Sequence, residues 1–281
     1  MQGVAIPGLI SPRYDLSEHV ALVTGANHGI GAATARVLAA CRARVILTYL
    51  RIQDEDETEM PSAYAENRRS GADVVVQQIE SEGGEAKAIE ADLALVETVP
   101  PLFDAAESKF GPVDILVNNA SGWIADTFRP VDVDRIGRSL RLLTASTFGH
   151  VFEVDARAPA LLIAEFSKRH IARGAKWGRI VGLTSGGPEG FPEEVSYGAA
   201  KAAQENLTMS AAVELAPYGV RANVVHPPVT DTGWVTPEVV RALEERNGIT
   251  NIASPEQVAE VIAYLASDHA GLITGNVLRL R

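Results

Sequence analysis

Short apolar runs rich in β-branched residues alternate along the chain with longer segments whose apolar residues recur at helical spacing. The helical spacing is clear in segments such as GAATARVLAACR and PEQVAEVIAYLASD. Near-continuous apolar strands that alternate with helices are typical of a parallel sheet covered on both faces. The pattern therefore predicts a doubly wound α/β fold with a mostly parallel, seven-stranded sheet. The predicted strands are residues 19–25, 43–49, 85–91, 113–119, 178–185, 220–226 and 275–281.

Two stretches interrupt this alternation. Residues 50–72 stand where a short turn from strand to helix would suffice, and five of the six residues in Asp54–Glu59 are acidic. Residues 121–150 form a second long connection, after the fourth strand. Long loops in compact domains are often functional. We expect a single domain over residues 1–281, with an N-terminal extension at 1–14 and an acidic insertion at 50–72.

Composition and charge narrow the possible functions. The 281-residue chain is 46% apolar and 22% charged, and its net charge of −11 includes no long basic block. These values argue against nucleic acid or an anionic membrane as the main partner. Cys41 is the only cysteine, so no internal disulfide can form, and the six histidines lack the spacing of zinc ligands, so no metal is expected. Without a signal-peptide pattern or a membrane-spanning apolar run, the sequence predicts a soluble, cytoplasmic protein.

A glycine-rich turn directly follows the first strand. The segment TGANHGIG, residues 24–31, has glycine at positions 25, 29 and 31 and leads into a helical pattern. Glycine allows a tight turn, and the free N–H groups at a helix N-terminus favour an anion such as pyrophosphate. The spacing is G-x-x-x-G-x-G, not the more common G-x-G-x-x-G. Its position still indicates a ligand site, because ligands bind at the carboxyl ends of the strands in such sheets.

Polar residues also end three other strands. Asp92 follows the third strand in ADL, where its carboxylate could accept a hydrogen bond from an adenine amino group. Asn118 and Asn119 end the fourth strand in NNAS, where their amides could hold neighbouring loops. Ser185 ends the fifth strand. Because these strand ends meet at one edge of the sheet, the residues form one candidate site.

Tyr197 and Lys201 lie four residues apart in SYGAAKAAQENL, a segment predicted to be helical. Residues at this spacing share one face of a helix. A free phenol has a pKa of about 10, which makes it a poor acid or base near neutral pH. A lysine ammonium one turn away favours phenolate, so we expect it to lower the pKa of Tyr197. The alternative is a chance pair on an amphipathic helix.

Together, TGANHGIG, ADL, NNAS, the serine after the fifth strand and YGAAK resemble the short-chain dehydrogenase/reductase family. The resemblance runs from about Asp15 to Arg281, and its overall pattern is most similar to 3-oxoacyl-carrier-protein reductases and related ketone reductases. It implies a Rossmann-like fold and an oxidoreductase that uses a nicotinamide dinucleotide to interconvert a carbonyl and a secondary alcohol. It also implies a homotetramer or homodimer formed through the helices that hold 155–173 and 196–217.

The resemblance assigns catalytic roles to four residues. Tyr197 is the expected general acid and base, Lys201 holds the nicotinamide ribose, and Ser185 binds the substrate oxygen. Thr184 is the alternative to Ser185, because the chain is one residue shorter than the family pattern between the serine and the tyrosine. In FEVDARAPALL, Asp155 replaces the family's asparagine, whose carbonyl anchors a water in a proton relay. Aspartate keeps that carbonyl and adds a charge that could stabilise Lys201 as a cation.

The resemblance also predicts the coenzyme contacts. Pro228 replaces a glycine in the loop HPPVTDTGW, where Thr230 and Thr232 are the expected contacts of the nicotinamide carboxamide. Residues 233–253 are the expected substrate lid, with Trp234 as an apolar wall. The full set of predicted coenzyme-binding residues is Gly25, Asn27, His28, Gly29, Ile30, Gly31, Tyr49, Arg51, Asp92, Leu93, Asn118, Ala120, Ser121, Tyr197, Lys201, Pro227, Thr230 and Thr232.

The end of the second strand favours NADP(H) over NAD(H). NAD-preferring enzymes place a carboxylate there, which binds the adenosine ribose and repels a 2′-phosphate. This strand ends in ILTYLR, with Tyr49 at that position and Arg51 close behind it as the expected phosphate contact. His28, in the glycine-rich turn, is a second basic candidate. The acidic insertion is expected to lie beside the adenosine and to be mobile in the free enzyme.

Two other functions fit parts of the pattern. One is a non-catalytic member of the same fold that binds the dinucleotide as a sensor or scaffold, which the substitutions Asp155 and Pro228 keep possible. The other is a sugar epimerase or dehydratase of the extended relatives, which has a longer C-terminal substrate domain. Turnover of a generic ketone with NADPH separates the enzyme from the sensor.

Overall fold

A seven-stranded parallel sheet forms the centre of the computed structural model, which describes residues 14–52, 61–187, 189–244 and 252–281. Its spatial order is β3-β2-β1-β4-β7-β8-β9, and every neighbouring pair is parallel. All seven predicted strands are present, so the predicted fold is confirmed. The strands of this sheet are β1 Val20–Val23, β2 Arg44–Tyr49, β3 Glu85–Glu90, β4 Ile115–Asn118, β7 Gly178–Leu183, β8 Val220–His226 and β9 Val277–Arg279.

Helices cover both faces of the sheet, because successive side chains of each strand point to opposite sides. In β1, Ala21 and Val23 join one buried cluster, whereas Val20 and Leu22 join the other. All four are at most 1% exposed, which accounts for the continuous apolar run in the sequence. The helices are α1 Gly29–Ala40, α2 Ser62–Arg69, α3 Asp73–Ser81, α4 Val99–Lys109, α5 Ala145–Phe152, α6 Ala158–Ala172, α7 Val195–Glu214, α8 Pro237–Glu244 and α9 Pro255–Ala266.

The strand order reverses beside β1, which lies between β2 and β4. The chain segments that leave β1 and β4 therefore run side by side. The amide of Thr24 donates to the carbonyl of Val117 at 3.1 Å, and the amide of Asn119 donates to Thr24 Oγ1 at 3.0 Å. In open α/β sheets this reversal opens a crevice in which ligands bind.

The long connection after β4 has a regular structure of its own. Within it, β5 Asp126–Thr127 pairs with β6 Arg141–Leu142 in a separate two-stranded sheet. Asp126 is completely buried and accepts hydrogen bonds from the amide and the hydroxyl of Ser196, in the first turn of α7. The connection is thus fastened to the helix that carries Tyr197.

The insertion between β2 and α3 contains a helix that the sequence analysis did not predict. Helix α2 follows Pro61, and its alanine, glutamate and arginine residues favour helix formation. The acidic run Asp54–Glu59 and residues 1–13 lie outside the described residues. In the described parts of the chain, no helix combines the length and the apolar character needed to cross a membrane.

Gly31 is the tightest packing point of the glycine-rich turn. A Cβ there would lie 2.2 Å from the carbonyl oxygen of Gly25 and 2.6 Å from Asn119 Nδ2. We expect Gly31→Ala to lower the free energy of unfolding by about 1–3 kcal/mol, because the turn must move to admit the methyl group. Thermal unfolding of Gly149→Ala is the control, since nothing lies within 4 Å of a Cβ at that position in α5. Equal melting temperatures for the two variants would contradict the expectation.

Candidate active site

A cleft of about 1950 Å³ runs along the carboxyl edge of the sheet. Its walls come from the segments that follow β1, β2, β3, β4, β7 and β8. Most of the predicted site residues line it: Gly25, Asn27, His28, Gly29, Ile30, Tyr49, Asp92, Leu93, Ala120, Ser121, Ser185, Tyr197, Lys201, Pro227, Thr230 and Thr232. Four others do not line it: Gly31, Arg51, Asn118 and Asp155.

The glycine-rich turn forms an open cradle at the start of α1. Gly25 and Gly29 have φ angles of +63° and +57°, which favour glycine. A Cβ at Gly25 would lie 2.8 Å from the Cα of Ala120, so only glycine allows the two segments to approach so closely. No side chain caps the N-terminus of α1, where His28 is the N-cap residue. The first N–H groups of the helix therefore remain available to an anion, and the cradle fits a dinucleotide diphosphate.

The two asparagines after β4 have different roles. Asn119 donates from Nδ2 to the carbonyls of Thr24 and Gly25, both at 2.9 Å, and so holds the glycine-rich turn. Asn118 is 1% exposed, and neither polar atom of its side chain has a hydrogen-bond partner in the protein. Its predicted coenzyme contact is therefore not supported by its position. Its backbone carbonyl instead accepts a hydrogen bond from Gln204 of α7.

Arg51 does not point into the cleft, contrary to the expectation that it contacts the coenzyme phosphate. Its Nε and Nη2 atoms bind the carboxylate of Glu90, at 3.0 Å and 2.5 Å. Glu90 ends β3, and Arg51 follows the neighbouring strand β2, so the parallel pairing brings the two side chains together. The sequence analysis missed this pairing because the partners are far apart along the chain.

His28 also differs from its expected role as a basic residue. Burial, with a contribution from the nearby charge of Arg68, lowers the pKa of its imidazole to about 4. His28 is therefore neutral at neutral pH, and its Nδ1 atom is buried without a partner in the protein. Arg68, which lies on α2 and lines the cleft, is a cation close enough to the glycine-rich turn for its charge to act on His28.

Helix α2 bridges two walls of the cleft. Asn27, in the glycine-rich turn, donates to the backbone carbonyls of Asn67 and Ser70 at 3.2 Å and 3.0 Å. Asn67 in turn donates to the carbonyl of Thr232 at 3.3 Å. Tyr64 and Arg68 were missed by the sequence analysis, although Pro61 before a run of helix-forming residues is a helix-start signal. The described part of the insertion is thus a wall of the site.

Tyr197 and Lys201 share one face of α7, as their spacing predicts. The Lys201 ammonium lies 5.6 Å from the centre of the Tyr197 ring. It is 2% exposed and binds Asp155 Oδ1 and Gln204 Oε1, each at 3.0 Å. The cation is therefore paired with a buried carboxylate directly behind the tyrosine.

Asp155 reaches Lys201 because the chain forms a π-helical turn at Glu153–Arg157, between α5 and α6. Such single π turns reorient one side chain and are frequent at functional sites. The Asp155 carboxylate is fully buried, and its second oxygen accepts a hydrogen bond from the amide of Gly122 at 2.7 Å. Asp155 thus contacts Lys201 and does not line the cleft.

The pKa of Tyr197 is raised well above its usual value, contrary to the expected lowering by Lys201. Burial of the phenol is the largest cause, and the charge of Asp155 and then that of Glu194 add to it. A hydrogen bond with Ser185 acts in the opposite direction. The expectation was wrong because it counted the lysine charge and left out the burial of the phenol and the effect of the Asp155 charge on it.

The geometry favours Ser185 over Thr184 as the residue beside Tyr197. The hydroxyl of Thr184 is buried and donates to the backbone carbonyl of Lys201 at 3.2 Å. Ser185 lines the cleft and forms the hydrogen bond with Tyr197. His226 Nε2 lies 2.6 Å from the carbonyl oxygen of Gly186 and supports this loop from β8.

The segment after β8 forms another wall of the cleft and approaches the glycine-rich turn, where a Cβ at Gly29 would lie 2.8 Å from Thr232 Cγ2. Thr230 Oγ1 donates to the carbonyl of Pro228 at 2.9 Å, and Trp234 Nε1 donates to the carbonyl of Thr230 at 3.0 Å. Trp234 and Val239 line the cleft, as an apolar substrate wall should. The expected lid at 233–253 thus includes α8, and residues 245–251 lie outside the described part of the chain. No group of three metal-ligating side chains occurs among the described residues.

Known proteins resemble the chain over nearly its whole length. A family model described as enoyl-(acyl carrier protein) reductase matches residues 25–280. Cis-4-hydroxycyclohexanecarboxylate dehydrogenase of Sinomonas cyclohexanicum is 38% identical, over 93% of this chain and 94% of that protein. 3-oxoacyl-[acyl-carrier-protein] reductase of Synechocystis sp. is 32% identical, over 94% and 96%. The solved structure of angucycline C-6 ketoreductase LanV with bound NADP has a TM-score of 0.76 and 29% identity, over 95% of each chain.

The charge of Asp155 gives a prediction for the titration of Tyr197. Removing that charge with Asp155→Asn should lower the pKa of the phenol, so phenolate forms at a lower pH than in the wild type. The measurement is the ultraviolet absorbance of phenolate against pH, corrected with Tyr197→Phe in the same background. Glu153→Gln is the control, because Glu153 lies in the same turn but pairs with Arg157. An unchanged or higher midpoint in a folded Asp155→Asn protein would contradict this account.

Proposed function

Since this chain belongs to the short-chain dehydrogenase/reductase family, we propose that it is an NADP(H)-dependent oxidoreductase that interconverts a carbonyl and a secondary alcohol. The observation that carries the proposal is the convergence of Ser185, Tyr197 and Lys201 on one cleft. That cleft also contains an open helix N-terminus in a glycine cradle. A proton donor and an anion-binding site in the same cleft are what hydride transfer from a dinucleotide requires.

The residues of the chain divide the reaction between them. The bound nicotinamide supplies or accepts the hydride at the substrate carbon. In reduction, the Tyr197 hydroxyl gives its proton to the substrate oxygen as that oxygen becomes an alcohol, and the phenolate then regains a proton from solvent. In oxidation, the phenolate accepts the alcohol proton. Ser185 donates a hydrogen bond to the substrate oxygen, and Lys201 stabilises the phenolate and binds the ribose.

The preference for NADP(H) is supported by the charges beside the glycine-rich turn. Tyr49 ends β2, so no carboxylate stands at the strand end itself. Arg68 lines the cleft close to His28, and its guanidinium lies 6.0 Å from the Tyr64 ring centre. A guanidinium group is well suited to bind a phosphate. We therefore assign to Arg68 the role that the sequence analysis gave to Arg51. A structural neighbour, the ketoreductase LanV, was solved with NADP, which supports the proposed coenzyme.

The substrate class is suggested by the most similar proteins named above. One relative is named for a cyclic hydroxy acid and another for a 3-oxoacyl group. The first compound carries a secondary alcohol, and the second carries a ketone. The lining of the cleft includes Trp123, Phe191 and Trp234, which fit an apolar ring or chain. We propose cis-4-hydroxycyclohexanecarboxylate and its ketone as the first substrates to assay.

We also propose that the protein forms a homotetramer or a homodimer. A homotetramer or homodimer is supported by exposed apolar side chains on the helices expected to form the interface: Ile171 on α6 and Val213 on α7. The single-domain organisation and the cytoplasmic location also stay predictions. Size-exclusion chromatography with light scattering tests the oligomer directly.

Tyr197→Phe should reduce turnover by about a hundredfold to ten-thousandfold, because the positioned proton donor is lost. Coenzyme binding should stay close to that of the wild type, since only the hydroxyl is removed. The measurements are turnover of the substrates above and the dissociation constant for NADPH. A mutant with more than half the wild-type rate would disprove the role of Tyr197. A wild-type protein that binds the dinucleotide but reduces no ketone would favour the sensor or scaffold.

Arg68→Ala should weaken binding of NADPH by about tenfold and leave binding of NADH nearly unchanged, because only the 2′-phosphate contact is lost. Arg69→Ala is the matched control, since Arg69 is the next residue of α2 and does not line the cleft. Arg51→Ala should also have little effect. The dissociation constants of both coenzymes are measured for all three variants. Equal losses for NADPH and NADH in Arg68→Ala would show that Arg68 does not read the phosphate.

A further inference from the structure

The connection between β4 and α5 binds a carboxylate that lies just before Tyr197 in the chain. That carboxylate is Glu194, the N-cap residue of α7, three residues before Tyr197. It is 8% exposed. Trp123 Nε1 donates to one of its oxygens at 2.9 Å, and Arg138 Nη2 donates to the other at 2.8 Å. Both donors belong to the connection, so this segment supplies the groups that bind the carboxylate.

Arg138 is itself held in place by three contacts. Its Nε donates to Asp134 Oδ2 at 2.6 Å, and its backbone amide donates to Asp134 Oδ1 at 2.8 Å. Its guanidinium lies 5.6 Å from the Trp123 ring centre. Although burial opposes the charge, Glu194 and Asp134 raise the pKa of Arg138, so it stays a cation. A cation fixed in this way can compensate Glu194 at every pH at which the tyrosine titrates.

We propose that Arg138 is a positioning residue for catalysis: by pairing with Glu194, it compensates the negative charge at the start of α7 and so favours release of the Tyr197 proton. The inference rests on the proposed function of Tyr197 as general acid and base. It assigns a specific role to the long connection after β4, which the sequence analysis marked only as a loop of the kind that is often functional.

Several charged or titratable groups act on Tyr197, and they come from three parts of the fold. Lys201 comes from α7 itself, Asp155 from the π-helical turn, Tyr64 from α2 and Glu194 from the start of α7. Asp155 and Glu194 both raise the pKa of Tyr197 by their charge. Asp155 already has Lys201 as its partner. Glu194 has Arg138 as its cationic partner, and within the described part of the chain its other side-chain hydrogen bond is with the neutral indole of Trp123.

The direction of the effect follows from this arrangement. Without Arg138, the negative charge of Glu194 has no cationic partner. An uncompensated negative charge near a phenol disfavours the phenolate form. Arg138→Met should therefore move the phenolate midpoint of Tyr197 to higher pH. Glu194→Gln should move it to lower pH. In the Glu194→Gln background, Arg138→Met should have little further effect, because the charge through which it acts is gone.

The experiment is a phenolate titration by ultraviolet absorbance, with each variant corrected by the same variant carrying Tyr197→Phe. The proteins are the wild type, Arg138→Met, Glu194→Gln and the double variant. Arg129→Met is the matched control, because Arg129 lies in the same connection but binds Glu193 at 2.7 Å. Arg138→Lys keeps a cation and should keep the midpoint near that of the wild type. Arg138→Lys also tests the proposal if Arg138→Met folds poorly.

The outcomes distinguish an electrostatic effect of Arg138 on Tyr197 from a direct contact of Arg138 with substrate. The proposal would be overturned if the phenolate midpoint of folded Arg138→Met or of folded Arg138→Lys differed from the expectation above. It would also be overturned if Arg138→Met still shifted the midpoint in the Glu194→Gln background. With an active substrate, alcohol oxidation by Arg138→Met below the midpoint should be about tenfold slower, with kcat reduced more than KM is raised. A raised KM with no change in midpoint would instead mean that Arg138 contacts substrate. Midpoints that move as expected in a protein without turnover would support this inference while the proposed function fails.

Discussion

The buried ion pair between Lys201 and Asp155 is the interaction around which the site is arranged. A lysine that is 2% exposed needs a partner of opposite charge, because an unpaired buried ammonium is strongly destabilising. The pair joins α7 to the π-helical turn before α6, while Gln204 extends it to the end of β4. Because these elements meet at Lys201, the position of Tyr197 is determined by the core and not by a loop. The same pairing weakens the influence of the lysine charge on the phenol.

The two irregular segments of the chain both contribute to the walls of the cleft. Helix α2 links the glycine-rich turn to the segment after β8 through Asn67. The connection after β4 is fastened to the first turn of α7 through Asp126 and Arg138. Each segment therefore completes a site that the central sheet only outlines. Such additions allow one fold to serve different substrates and coenzymes without a change in its core.

Charge compensation is a common feature of this site. Asp155 balances Lys201, Arg138 balances Glu194, and Glu90 occupies Arg51. In each case the net charge of the ion pair, and not the charge of one residue, acts on the groups around it. Arg68 beside the neutral His28 is the cation that the structure brings to the cleft wall near the glycine-rich turn.

The sequence alone determined the central sheet, because each of its strands shows a local pattern of apolar residues, and most of the helices that cover it do as well. All seven strands were predicted, and the glycine-rich turn, Ser185, Tyr197 and Lys201 were placed at one edge by the rule that parallel strands end together. The tertiary structure alone decided the electrostatics. Arg51 meets Glu90, and Arg138 meets Glu194, across elements that are far apart in the chain. Burial and such distant partners set the charge of an ionisable group, and neither can be read from its neighbours in the sequence.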